Sequence, residues 1–446
     1  MSEPQREAVA PTLAAANDQD ASAASLRIGL FSESFEPVQN GVSTSILTLV
    51  DELRRQGHRV YVFAPAHQEQ QEVQTNVLRF PSFVSAFNKE YPLAYPFLPR
   101  LALTTHFQKL RLDVVHTHTP FILGLTGAKL ALRRSVPLIS TFHTLYSQYS
   151  HYLPFLPDGV TQGLLETYLP WYYNRCAEII CPSEVAANVL RDLGIERPIT
   201  IVPTGIALPD EHAIGDSARE KVRSELGIPI DAPLMLFAGR LAREKNVDML
   251  LAVYSLVRES VPDVHLAFAG SGPFADELAA LANAMPGGEN VHFLGPIPHY
   301  RMSGVYAAAD VFCFPSPSET QGLVVGEARA AGLPCVVVDA GGAPETVREG
   351  EDGFCVPEGD TDAFAERVIG MLTNRWKREK MRETARHNAL EYTPERMVAR
   401  VLSVYEAARV QPDAAPSALD RLLHEELDWD SIGQALRENF GLPPRS

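Results

Sequence analysis

The chain has 446 residues, 46% hydrophobic and 21% charged, a balance that fits a globular protein with length enough for two cores. Its formal net charge of −16 opposes nucleic-acid phosphates, so no DNA or RNA partner is expected. No stretch supplies the eighteen or so uncharged apolar residues that a membrane span needs. Residues 1–25, rich in Ala, Ser and Gln, lack the basic start and apolar run of a signal peptide, so a disordered tail and a cytoplasmic location are expected.

The charge is uneven: residues 1–200 carry 16 basic against 18 acidic side chains, which leaves the excess acid to the second half. Five cysteines form no CxxC and mostly sit in apolar runs, which points to small buried hydrophobes rather than disulfides or structural zinc.

In chain order, the short apolar run RIGLF at 27–31 precedes a segment, 41–56, whose apolar residues Val42, Ile46, Leu49, Val50 and Leu53 recur at helical spacing. Further buried strands are predicted at 59–64, 113–118, 137–142, 178–182 and 198–203, most separated by helix-length segments. After a break at Thr204-Gly205 the rhythm restarts, with strands at 233–239, 264–270, 290–295, 311–315, 334–339 and 353–357. Such alternation predicts an α/β protein of two parallel-sheet, Rossmann-like domains, 26–205 and 206–392. Residues 362–409 read as helical throughout, and the stretch 393–410 is expected to pack back toward the first domain. An acidic extension, 411–446, completes the chain.

Three loops carry candidate chemistry. The turn from Pro37 to Ser43 passes from strand to helix through Gly41, which lets backbone N–H groups approach an anion, although a ligand-free turn reads the same. At 239–246 the segment GRLAREKN sets Arg240 and Lys245 at the carboxyl edge of a strand, where a diphosphate leaving group would need cations. At 316–328, Glu319 in the loop and Glu327 on the following helix bracket Gly322 and Leu323, whose helix N-terminus can face a phosphate. One carboxylate suits sugar hydroxyls and the other a ribose. A helix dipole accounts for Glu319 alone, yet not for Glu327 within the apolar run LVVGEARAAGLP.

His116 and His118 share one strand face in DVVHTHTP, and His143 ends the next strand. No third ligand has suitable spacing, so no metal site is expected. His116, inside its strand, also fits a core histidine bonded to backbone. The aromatic segments 80–107 and 142–173 fit either an apolar surface toward an acceptor or ordinary helix-to-sheet packing.

The motifs SETQGLVVGEARAAGLP, ESFEPVQNGVSTSI, VVHTHTPF, STFHTLYSQYSHYLP and VPTGI resemble those of the retaining glycosyltransferases of family four, of GT-B fold, over roughly 27–410. Within that family they look most like bacterial diacylglycerol glucosyltransferases. The resemblance implies two Rossmann-like domains facing across a cleft and a metal-independent hexosyltransferase that needs no cofactor besides its nucleotide-sugar co-substrate. Arg240 and Lys245 would bind the donor diphosphate, Gly41 would touch it from the other domain, and Gly322 and Leu323 would belong to the same donor site. Glu319 would hold sugar hydroxyls and Glu327 the ribose. His118 would lie beside the transferred sugar, the loop from Gly295 to Ile297 would read the base, and His143, Tyr146 and Tyr149 would face the acceptor. The expected reaction is glucosyl transfer from UDP-glucose to a lipid hydroxyl such as that of diacylglycerol, at the inner membrane surface. Mannosyl or other hexosyl transfer to a phosphoinositol or small polyol, a sugar-nucleotide epimerase and a non-catalytic nucleotide-sugar-binding regulator are the alternatives. Keeping Arg240, Lys245, Glu319 and Glu327 together speaks against the last.

Overall fold

The computed structural model describes residues 25–67, 76–85, 88–94, 110–145 and 158–410. Residues 1–24, the extension 411–446, and Tyr146 and Tyr149 lie outside the described residues.

The first half builds a seven-stranded, wholly parallel sheet in the order β3-β2-β1-β6-β7-β8-β9. Its strands are β1 (Arg27–Phe31), β2 (Arg59–Pro65), β3 (Val77–Phe80), β6 (Val114–Thr117), β7 (Leu138–Thr141), β8 (Glu178–Cys181) and β9 (Ile199–Ile201). A hairpin of β4 (Ser82–Ser85) and β5 (Asn88–Ala94) stands apart from it. Among the described residues, the helices of this half are α1 (Gly41–Arg55), α2 (Ile122–Arg134), α3 (Asp158–Tyr173) and α4 (Glu184–Asp192). In α1 the expected periodicity is met by a capped start: the Asn40 side chain accepts from Ser43 N at 2.9 Å, and Arg54 and Arg55 occupy the last turn, where the helix dipole favours cations.

The second half forms a six-stranded parallel sheet, β12-β11-β10-β13-β14-β15. Its strands are β10 (Leu234–Ala238), β11 (His265–Ala269), β12 (Val291–Gly295), β13 (Val311–Phe314), β14 (Cys335–Val338) and β15 (Gly353–Val356). The short α5 (Glu211–Ile214) and α6 (Asp216–Glu225) precede it, and α7 (Met249–Ser260), α8 (Ala275–Ala284), α9 (His299–Ala308), α10 (Leu323–Ala330) and α11 (Thr361–Thr373) connect or cover its strands. Every residue of β10, β11, β13 and β14 is buried, as a sheet covered on both faces requires.

The C-terminal helical stretch is not continuous, contrary to its periodicity. It divides into α11, α12 (Arg375–Ala389) and α13 (Pro394–Val410), because Asn374 caps a new helix through Lys377 N and Pro394 cannot continue the preceding turn. Met397, Val398, Val401, Val404, Tyr405 and Ala408 of α13 pack into the core of the first sheet, beside α1. After its second sheet the chain therefore returns through α13 to its first. Cys176, Cys181, Cys313 and Cys335 are buried free thiols and Cys355 is half-buried. Among the described residues, no helix is long and apolar enough to cross a membrane.

Candidate active site

Both sheets place their first strand centrally, with the next two strands on one side and the later ones on the other. Chain direction thus reverses between β1 and β6, where Phe31 lies opposite Thr117, and between β10 and β13, where Leu236 lies opposite Phe312. Open parallel sheets bind ligands at the carboxyl ends of such strand pairs. The segments that follow these four strands carry Gly41, at the start of α1, and His118, Arg240, Lys245 and Glu319.

At the second sheet's tip, Gly239 and Gly270 have φ of 144° and 142°, and a Cβ on Gly270 would lie 1.9 Å from the Gly239 carbonyl oxygen. Only glycine allows that approach. Beyond it, Arg243–Lys245 form a single 3-10 turn, and α7 begins only at Met249. Arg240 and Lys245 therefore lie before the helix, and Asn246 at φ 52° is left-handed. Lys245 Nζ pairs with Glu319 Oε1 at 2.7 Å and approaches Ser318 Oγ at 3.3 Å. Ser316 Oγ donates to the same Glu319 oxygen. Arg240, 38% exposed, approaches Glu244 at 3.7 Å.

Glu327 stands one turn into α10. Tyr306 OH donates to its Oε2 at 2.8 Å, and His299 Nε2 lies 3.2 Å from Oε1. That bond raises the His299 pKa against the opposing effect of burial. His299 opens α9 just after the Gly295–Ile297 loop, so Glu327 and that loop are tied together. Buried Arg329, two residues on, holds α10 to Asp352 at 2.6 Å. Gly322, at φ 76°, supplies the start of α10 without a side-chain cap. A Cβ on Gly41 would stand 3.7 Å from Leu323 Cδ1, so the first turns of α1 and α10 meet across the cleft.

On the facing sheet, His118 Nδ1 and His143 Nε2 are 2.9 Å apart, and the His116 and His118 rings are 4.3 Å apart. His116 contacts Tyr405 OH through Nδ1 and Thr141 Oγ1 through Nε2, each at 2.7 Å, which makes it a satisfied core histidine. His118 Nε2 is buried with no hydrogen-bond partner. Burial first, and neighbouring histidine charge second, hold His118 well below the ordinary histidine pKa; burial lowers His143 to about 4. The Thr320 hydroxyl donates to the His143 carbonyl at 3.0 Å, joining the Glu319 loop to the histidines. Among the described residues, no three His, Cys, Asp or Glu side chains group to hold a metal.

The structure thus links Lys245 to Glu319, the adjoining Thr320 to His143 and His143 to His118, and joins Gly41 to Leu323. Arg240 shares their strand edge, while Glu327 is held in a separate cluster with His299 and Tyr306. Sequence reading missed His299, Tyr306, Thr320, Gly341 and Gly342. The last two back the donor loop: a Cβ on Gly342 would stand 2.1 Å from Thr320 O, and Gly342 N donates to Glu319 O at 2.7 Å. The adjacent glycines after strand PCVVVD were the signal available for them.

Two facing Rossmann-like sheets with charged loops at their reversal points define the GT-B class of glycosyltransferases. The Glycosyltransferase Family 4 profile matches residues 39–208, and that of Glycosyl transferases group 1 matches 218–388. Alpha-monoglucosyldiacylglycerol synthase of Streptococcus pneumoniae is 33% identical over 70% of this chain and 70% of its own. The synthase of that name from Acholeplasma laidlawii is 31% identical over 70% and 80%. Among solved structures, sucrose-phosphate synthase from Thermosynechococcus elongatus aligns with TM-score 0.68 at 21% identity, covering 85% of this chain and 98% of that one. Anabaena HepE in complex with UDP-glucose aligns with TM-score 0.65 at 19% identity, covering 85% and 99%. The chain belongs to glycosyltransferase family four and is a hexosyltransferase.

Proposed function

We propose that this enzyme transfers a glucosyl group, with retention, from UDP-glucose to the hydroxyl of diacylglycerol, working on the cytoplasmic face of a membrane. The observation that carries the reading is the Lys245–Glu319 pair at the β10–β13 reversal, on a loop that reaches the first half through the Thr320 hydroxyl on the His143 carbonyl. In this reading residues 206–392 bind the donor, 26–205 receive the acceptor, and 393–410 tie the two together. Arg240 and Lys245 neutralise the diphosphate, and the converging starts of α1 and α10 add backbone dipoles. Glu319 accepts from sugar hydroxyls and Glu327 from the ribose. The Gly295–Ile297 loop reads the base.

The bond between the sugar's anomeric carbon and the diphosphate oxygen breaks, and its electron pair stays on the diphosphate. The acceptor oxygen bonds to the same face of that carbon, and its proton passes to the departing diphosphate, leaving UDP and the glucosylated lipid. His118, uncharged at neutral pH and with Nε2 available, positions the sugar beside the reacting carbon. No protein base is required, and stabilisation of the leaving charge supplies most of the acceleration.

A donor and acceptor screen read by mass spectrometry tests this. Purified protein is incubated with UDP-glucose or GDP-mannose and with diacylglycerol vesicles or soluble polyols. Glucosylated diacylglycerol is expected; a polyol product with no lipid product would overturn the acceptor. Donor alone should be at most slowly hydrolysed, whereas conversion to another sugar nucleotide would mark an epimerase.

A further inference from the structure

The two halves touch through more than the cleft residues. Glu345 lies in a 3-10 turn, Pro344–Thr346, of the second half. Its carboxylate accepts from Glu184 N through Oε2 and from Val185 N through Oε1, both at 2.8 Å. Those are the first two N–H groups of α4, a helix of the first half, and Ser183 Oγ accepts the third, from Ala186 N. The opening N–H groups of a helix have no partner within the helix and carry its positive dipole end. Two of them are met by a carboxylate 160 residues away, from the other half of the molecule.

The segment leading to Glu345 is also the one that supports Glu319. Gly342 N donates to Glu319 O at 2.7 Å, and a Cβ at Gly342 would stand 2.9 Å from Ser183 Oγ. Only two residues therefore separate the support of a donor-loop carboxylate from the cap of the opposing half's helix. Thr320 to His143 O and Gln321 to Thr204 cross the same boundary nearer the cleft.

We propose that Glu345 is the inter-domain latch of this enzyme, a positioning residue whose carboxylate, seated on the α4 N-terminus, sets the cleft width at which Glu319 and Lys245 meet His118. Apart from Gly41 at the start of α1, the proposed nucleotide-binding groups Arg240, Lys245, Glu327 and the Gly295–Ile297 loop lie on the Glu345 side of the boundary, so loss of the latch leaves nucleotide binding nearly intact and lowers the chemical step. Misplacement by about 1 Å across a reacting cleft costs up to about a hundredfold in rate.

The inference rests on the glucosyl-transfer reading for its turnover assay alone. The full chain is compared with Glu345→Ala and with Val185→Pro, which removes one N–H from the opposite half at a first-turn position that tolerates proline. Expected for Glu345→Ala are a kcat roughly tenfold to a hundredfold lower, UDP affinity by calorimetry within about twofold of wild type, and a larger radius of gyration by small-angle scattering with UDP bound. Val185→Pro should shift kcat and radius the same way, by less. An unchanged kcat or an unchanged radius in both variants overturns the latch, as does weakened UDP binding that accounts for the lost turnover. Inactive wild-type protein would refute the substrate assignment instead, while scattering and UDP titration would still decide the latch.

Discussion

Lys245 is 13% exposed and Glu319 22%, so their 2.7 Å contact lies largely out of water, where it is stronger than a surface pair and costly to leave half-made. In the proposed mechanism, donor binding changes the partner available to Lys245 from a carboxylate to a diphosphate that gains charge as the sugar departs. Lys245→Ala should therefore lower kcat with UDP-glucose and diacylglycerol by several hundredfold, the scale found when one transition-state charge partner is removed. UDP release followed under steady-state conditions is the measurement, and a rate within twofold of wild type would remove Lys245 from the mechanism. Arg240 was legible beside it because Gly239 ends a strand that is apolar throughout. Pairing of Lys245 with Glu319, 74 residues away, was not legible, since chain spacing says nothing of which strand tips become neighbours.

At the scale of elements, α2 rests on the exit of β6 with no clearance. A Cβ at Gly124 would lie 1.8 Å from Thr119 O, a backbone atom that cannot swing aside. Alanine in a helix interior gains about 1 kcal/mol over glycine in propensity. Overpacking costs about 1–3 kcal/mol, and a backbone partner puts this site at the upper end, so the clash wins. Gly124→Ala should be destabilised in urea melts and should lose activity beyond its loss of stability, because α2 would push on the turn that presents His118. Stability equal to wild type would show that α2 can slide. Neither Gly124 nor Glu33 stood out in the sequence. Yet Glu33 serves the same turn: its carboxylate accepts from Leu123 N, where Phe121 provides no side-chain cap.

At the scale of the whole molecule, burial of ionisable groups in the first half makes stability depend on pH. His116 is lowered to about 3 and His143 to about 4 by burial, and His118 falls well below its ordinary value. Their folded pKa values lie beneath the unfolded value of about 6.5, so the unfolded chain binds more protons as pH falls. The associated stability is present above that value and is lost progressively below it. Glu33 works in the opposite sense, because burial raises it to about 7, and its contribution is present below about 4.5 and lost as pH rises to 7. Three histidines outweigh one carboxyl between pH 6.5 and 4.5. The urea midpoint should fall across that window, and Glu33→Gln should steepen the fall. A midpoint that stays level in wild type would show that these histidines titrate normally.

The alternation of apolar runs and helical segments was enough to place most strands and the double α/β plan, because buried parallel strands must be apolar along their whole length. Motif spacing likewise picked out Arg240, Lys245, Glu319 and His118 as candidates in the segments after strand ends, and Glu327 on the helix that follows β13. Three things waited for the tertiary structure: the split of 362–409 into three helices, the capping of α4 by Glu345, and the contact of Thr320 with His143. Capping and proline chemistry decided the first. The others join residues far apart in the chain, and only the packing of two finished sheets against each other determines which of their surface groups meet.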